Sequence, residues 1–272
     1  MGQIHIRVGY DIVYSCVNPT PMLVMLNLRP ERAKDLVTPQ IMSLGPAIPT
    51  RRYVDSFGNI CTRLLAPAGD IRFSADFIVA DSGEPDPQVP DAIQHSVDDL
   101  PDDVIVFLLA SRYCETDSLL DEAWRRFGAV PPGWGRVAAI CDFVNEQITF
   151  GYHHARSTRT AREGLEEGVG VCRDFAHLAV ALCRCMNIPA RYVTGYLGDI
   201  GVPAALPMDF SAWFEVYLGG RWHVFDARHN HPRIGRIPLA VGRDAADTAI
   251  STHFGPATLK QFDVITDEVV TA

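Results

Sequence analysis

The sequence predicts an α+β protein: an N-terminal antiparallel β-sandwich, then a second region in which helices pack on an antiparallel sheet. Three observations predict it. Period-two alternation marks the early segments, with Ile4, Ile6 and Val8 in one and Ile71, Phe73 and Ala75 in another. The tract DSGEPDPQVPD (81–91) carries three prolines, one glycine and four acids in eleven residues, a composition that resists both helix and strand. Beyond it the period becomes helical before aromatic-rich strands return. These features predict a sandwich over 1–82, a linker over 83–92 and a core over 93–272.

The elements follow in order. IHIRVGYDIVY, PMLVMLNLRP, RRYVDSFGNICTRLLAP and DIRFSADFIVA read as strands punctuated by Pro, Gly and Asp. TDSLLDEAWRRFG (116–128) opens on a capping Thr or Asp, sets Leu119, Leu120, Ala123, Trp124 and Phe127 on one helical face, and ends at Gly128. GRVAAICDFVNEQITF (135–150) repeats the pattern with Val137, Ile140, Cys141 and Val144, and Thr160 with Glu163 has the spacing of a capping box. Phe175, Leu178, Ala179, Leu182 and Met186 form the stripe of a helix that begins at Cys172 and stops before Pro189. RYVTGYL, FSAWFEVYL and RWHVFDA read as strands, the last two joined at Gly219-Gly220.

Composition narrows the function. With 272 residues, 47% hydrophobic and 21% charged, the chain has ample apolar material for a core. A net charge of −9 without any basic stripe excludes a nucleic-acid surface, which needs clustered Lys and Arg. The start, MGQIHIRVGYDIVY, has no basic stretch leading into a long apolar run. No segment approaches the ~18 apolar residues of a membrane span, so a cytoplasmic protein without membrane contact is expected. Seven cysteines, an odd number without framework spacing, read as reduced thiols. Cys183 and Cys185 point to different faces of a helix and do not chelate. His153-His154, adjacent on an extended segment, point apart and lack a third ligand at metal spacing. No metal, no calcium loop and no cofactor is expected.

Chemistry concentrates at Cys172, which follows the glycine-spaced turn GVGV. A helix start offers unpaired N–H groups and the positive end of the dipole, which favour thiolate over thiol and could hold an oxyanion. GVGVCRDFAHLAVALCRCMNIPARYVTGY followed by SAWFEVYLGGRWHVFDA resembles the transglutaminase-like superfamily of papain-type cysteine enzymes, in its bacterial cysteine-protease-like branch. LNLRP (26–30) and DSFGN (55–59) are similar to the β-rich region that precedes the core in that branch. The resemblance implies a papain-like transglutaminase core, a peptide or protein substrate, Cys172 as nucleophile forming a thioester, and Asp226 as the acid that orients an imidazole.

The family histidine normally stands in the triplet His-Ala-Trp, which here is Ser211-Ala212-Trp213. A serine hydroxyl is no general base near neutral pH. Three readings are open at this point. A second histidine replaces the missing one, with His229 and His231 in DARHNHP best placed to fold back over the site. Alternatively the thiolate acts without a base, or the chain is a catalytically impaired module that binds peptides or a partner. A structural interaction domain acting through the sandwich is a further possibility. His223, three residues before Asp226 on a strand, should face the other way, and His177 reads as a core residue. Ser211 and Asp226 are expected to lie across the hairpin and share a hydrogen bond. Asp209 reads as a turn residue. Arg173 and Asp174 are positioned to orient the Cys172 loop, and Tyr152 and Tyr196 flank the motif.

Overall fold

The computed structural model describes residues 2–204 and 207–269. Six strands come first: β1 (Ile4–Cys16), β2 (Thr20–Val24), β3 (Ser43–Gly45), β4 (Thr50–Val54), β5 (Ile60–Ala66) and β6 (Gly69–Asp81). The helical part follows as α1 (Asp102–Ile105), α2 (Thr116–Phe127), α3 (Trp134–Gln147), α4 (Ala161–Glu167) and α5 (Cys172–Cys185). The two-residue strands β7 (Thr149–Phe150) and β8 (Val169–Gly170) pair in parallel around α4. The chain closes with β9 (Ala190–Tyr196), β10 (Ser211–Leu218), β11 (Arg221–Phe225), β12 (Ile237–Gly242), β13 (Ser251–His253) and β14 (Ala257–Glu268).

Three four-stranded sheets result, ordered β14-β1-β6-β3, β13-β2-β5-β4 and β11-β10-β9-β12. The first two form the sandwich. Alternation in β1 buries Ile6, Val8, Tyr10, Ile12 and Tyr14 against Phe73 and Phe77 of β6 and Met22, Val24 and Leu64 of the facing sheet. The third sheet is covered by helices: Phe214, Val216 and Leu218 of β10 share one core with Leu119 of α2, Ile140 of α3 and Leu178 of α5. Its other face carries Val193, Trp213 and Val241. The α+β class and helix-on-sheet core are those expected.

Three details differ from the expectation. The C-terminal strands return to the sandwich: β14 lies beside β1 from Ala257 to Glu268, and β13 pairs with β2. Residues after 92 therefore do not all belong to the core. Residues 83–92 do not hang free, because Asp86 accepts from the Arg233 N–H at 2.9 Å and from Arg236 Nε at 2.9 Å, strapping the segment to the loop after β11. On α2 only Leu119, Ala123 and Phe127 are buried, while Leu120 and Trp124 remain 45% and 47% exposed. The helix packs by a narrower stripe than its composition offers.

Sandwich and core are braced by the two early motifs. In DSFGN, Asp55 accepts from the Phe57 and Asn59 N–H groups at 2.9 and 2.8 Å, closing the β4–β5 turn, where Gly58 takes φ +81°. Asn59 then exchanges two hydrogen bonds with the Val241 backbone of β12, at 2.8 and 2.9 Å. Arg29 of LNLRP donates to Asn59 Oδ1 at 2.7 Å.

Gly195 of β9, opposite Ser211 in the ladder, shows how tightly the third sheet is packed. A Cβ there would lie 2.2 Å from the Ile237 carbonyl oxygen and 2.9 Å from the Trp213 ring. Gly195→Ala is expected to cost about 1–3 kcal/mol in urea unfolding, because the close neighbour is backbone and cannot rotate away.

Candidate active site

The start of α5 is built by a short chain of polar contacts. Gly168 ends α4 in the left-handed conformation at φ +65°, and the Gly151 N–H donates to the Gly170 carbonyl at 3.0 Å, fixing the approach to the helix. The buried Asp174 carboxylate accepts from the Val171 N–H at 2.9 Å and from Arg159 Nη1 at 2.9 Å. Arg159 in turn donates to the His154 carbonyl at 2.7 Å and to Glu167 at 3.0 Å. Arg173 donates to the Ser157 carbonyl at 3.0 Å and to the Arg156 carbonyl. Arg173 and Asp174 thus orient the Cys172 loop as expected. Arg159 was not foreseen, and only its position before the α4 capping box hinted at it.

Cys172 is partly exposed as a residue, and its side chain packs against Ala176, Tyr192 and Ala212. Burial pushes the thiol up to about 11; Arg228 and the Ala212 N–H pull it down, and Asp209 and Asp226 add to the rise. This corrects the expected preference for thiolate. The helix start is where the sequence places it, but withdrawal of the sulfur from water outweighs it.

Asp226 follows β11 and is buried. Its Oδ1 accepts from the Arg228 and His229 N–H groups at 3.0 and 3.1 Å, and its Oδ2 accepts from His229 Nδ1 at 2.8 Å and Arg236 Nη2 at 2.9 Å. Burial alone would raise this carboxyl. The Arg236 guanidinium and then His229 outweigh it and hold the group well below the usual carboxylate range. Asp226 is therefore an acceptor only, and His229 Nδ1 is the donor. In the tautomer that carries its proton on Nδ1, Nε2 is the ring's acceptor nitrogen.

The turn that returns His229 to Asp226 is held from several sides. The Asn230 N–H donates to the Asp226 carbonyl at 2.8 Å with Asn230 in the left-handed region at φ 53°, and its side chain donates to Asp142 of α3 at 2.7 Å. Asn145, one turn further along α3, donates to the Ala227 and Arg228 carbonyls at 2.9 and 2.8 Å. Neither Asn145 nor Arg236 was foreseen. The basic run RHNHPRIGR just after Asp226 was the available signal for Arg236.

Ser211 and His229 line one cavity of about 270 Å³, together with Phe150, Tyr152, Asp209 and Arg228. Ser211 Oγ is buried and finds no hydrogen-bond partner among the described residues, and the Asp226 oxygens go to Arg228, His229 and Arg236. The expected Ser211–Asp226 hydrogen bond does not form. Competition supplies the reason: backbone N–H groups of the turn, the His229 ring and the Arg236 guanidinium already hold both carboxylate oxygens. Asp209, read as a turn residue, faces this cavity, and burial raises its carboxyl while the Phe210 N–H and Arg228 lower it.

The other histidines lie elsewhere. His223 Nε2 meets the Leu218 carbonyl at 3.1 Å, with the ring against Trp134. His177 is fully buried, stacks on Tyr113 at 5.1 Å and accepts the Ala245 N–H at 3.1 Å. His231 Nδ1 meets the Pro232 carbonyl at 3.1 Å. His153 and His154 do not point apart: a 3-10 turn over Tyr152–His154 brings their rings to 3.9 Å. Tyr196 is buried in the sandwich core, whereas Tyr152 stands at the cavity. No helix among the described residues is long and apolar enough to cross a membrane.

Residues 125–227 match the Transglutaminase-like superfamily, a span that holds Cys172, Ser211 and Asp226 and stops two residues before His229. The structure of a putative cysteine protease from Cytophaga hutchinsonii superposes with a TM-score of 0.84 at 31% identity, covering 100% of this chain and 93% of that one. An uncharacterized protein of Mycobacterium leprae is 26% identical over 214 residues, 75% of each chain. The 31% identity to the Cytophaga hutchinsonii protein over all of this chain, with the core matched separately, means that the chain belongs to the transglutaminase-like superfamily.

Proposed function

We propose that the protein is a thiol hydrolase of peptide or amide bonds, with Cys172 as nucleophile, His229 as general base and Asp226 as the group that orients it. The single observation that carries the reading is the 2.8 Å hydrogen bond from His229 Nδ1 to Asp226, made by a histidine that lines the same cavity as position 211. His229 Nε2 takes the Cys172 thiol proton as sulfur attacks the carbonyl carbon, and the oxyanion is held by free N–H groups at the start of α5. The imidazolium returns that proton to the departing amine, leaving a thioester on Cys172. Water then adds to the thioester, giving its proton to His229, and the carboxylic acid and the thiol are released. Because the resting thiol is pushed up to about 11, the proton moves during attack rather than before it. Hydrolysis is preferred to amine transfer because water resolves a thioester without needing a binding site of its own.

The same raised thiol, with serine at position 211, favours a second reading: a catalytically impaired module that binds peptides. Alkylation of Cys172 by iodoacetamide across pH separates the two. The hydrolase reading predicts a reactive limb at neutral pH below a second rise toward about 11. A single rise at high pH supports the binding module. Ser211→His, which restores the family triplet, is expected to increase the neutral-pH rate by about tenfold or more. No change would mean that position 211 does not act on the sulfur. All seven cysteines are free, six of them buried, which fits the cytoplasmic location we propose.

A further inference from the structure

We infer that Arg228 is the carboxylate anchor of the cleft, so that the preferred substrates are peptides or amides bearing a free carboxylate within about one residue of the scissile bond. The inference rests on the thiol-hydrolase reading for the word substrate, but its geometry stands separately. Arg228 lines the cavity shared by Ser211, His229 and Tyr152, and its guanidinium lies 3.8 Å over the Phe150 ring, which fixes the plane of the fork. Among the described residues no carboxylate comes within 4.0 Å of it.

Three buried arginines around the site contrast with the half-buried Arg228. Arg159 is paired with Asp174 at 2.9 Å, Arg233 with Asp199 at 3.0 Å, and Arg236 with Asp86 and Asp226 at 2.9 Å each. Arg228, among the described residues, has no carboxylate partner, and it lines the cleft. Asp209 stands in the same cleft wall but forms no ion pair with Arg228 within 4.0 Å. Arg228 is also the strongest of the groups that favour the ionised form of Cys172. A planar fork held in the cleft wall, with no carboxylate paired to it, matches the bidentate geometry of a carboxylate. It makes Arg228 a specificity-determining residue.

Two alkylating agents of nearly equal size test this without knowledge of the substrate. Both transfer a two-carbon unit to sulfur with loss of iodide, but iodoacetate carries a carboxylate and iodoacetamide a neutral amide. The ratio of their rates at Cys172, located by peptide mapping, cancels the thiolate fraction and reports only the preference for the anion. In the intact chain the ratio should exceed that of the unfolded chain by about tenfold or more. Arg228→Gln should bring it to the unfolded value, while Arg228→Lys retains part of the gain. An unchanged ratio in Arg228→Gln, with the fold verified by circular dichroism, overturns the inference. So does a ratio in the intact chain equal to that of the unfolded one. His229→Gln should lower both rates and leave the ratio alone. If it changes neither rate while Arg228→Gln still collapses the ratio, the hydrolase reading fails and the anchor stands.

Discussion

His229→Gln is expected to slow alkylation of Cys172 by iodoacetamide at neutral pH by about 10²-fold or more, the usual worth of a positioned general base. Glutamine keeps the volume and a hydrogen-bonding head but cannot accept the thiol proton. Above the thiol's own value of about 11 the two proteins should react at similar rates, because hydroxide then supplies the thiolate that His229 otherwise provides. Convergence at high pH distinguishes loss of a base from a distorted cleft, which would slow the reaction at every pH. Thermal unfolding should change little, because Arg236 still neutralises Asp226.

Arg236→Met should have the largest effect on stability, a loss of about 3–5 kcal/mol at neutral pH. The guanidinium is buried and joins Asp226 to Asp86 at 2.9 Å each, so its removal leaves two carboxylates without their principal counter-charge. The pH dependence follows from the direction of the Asp226 shift. In the intact protein its folded value is depressed, so it contributes stability that is present above the unfolded value of about 3.9 and is lost as pH falls through the folded value. Without Arg236, burial dominates, and the ionised form becomes a cost that protonation relieves. The difference between the two proteins in urea unfolding should therefore be greatest near about pH 7 and shrink toward about pH 4. A constant difference across that range would locate the effect in packing rather than charge.

Much of the fold was legible because local chemistry and tertiary structure agree. Thr160 and Glu163 do form a reciprocal capping box, at 3.3 and 3.0 Å, and the stripe from Phe175 to Met186 is buried as its spacing requires. The return of β14 to β1 was not legible. ATLKQFDVITDE is mostly polar, and of its residues only Val264 and Thr266 are buried, too few for alternation to announce a strand. At the site, Cys172 and Asp226 were visible through the family pattern and His229 through its place in the loop after Asp226. Arg236 was not, because its partner Asp86 lies 150 residues away in a segment whose prolines read as a linker. A charge pair at that separation leaves no periodic trace in the sequence. The preference for thiol over thiolate was equally hidden, since the helix start is local information and the burial of the sulfur is not.

The central claim is that Asp226 and His229 act on Cys172 as a unit. The most direct measurement is a double-mutant cycle on the neutral-pH alkylation rate, comparing Asp226→Asn, His229→Gln and the double variant. If Asp226 works through His229, the double variant reacts no more slowly than His229→Gln alone. Losses that multiply, or a His229→Gln protein as reactive as the intact chain, would contradict the account.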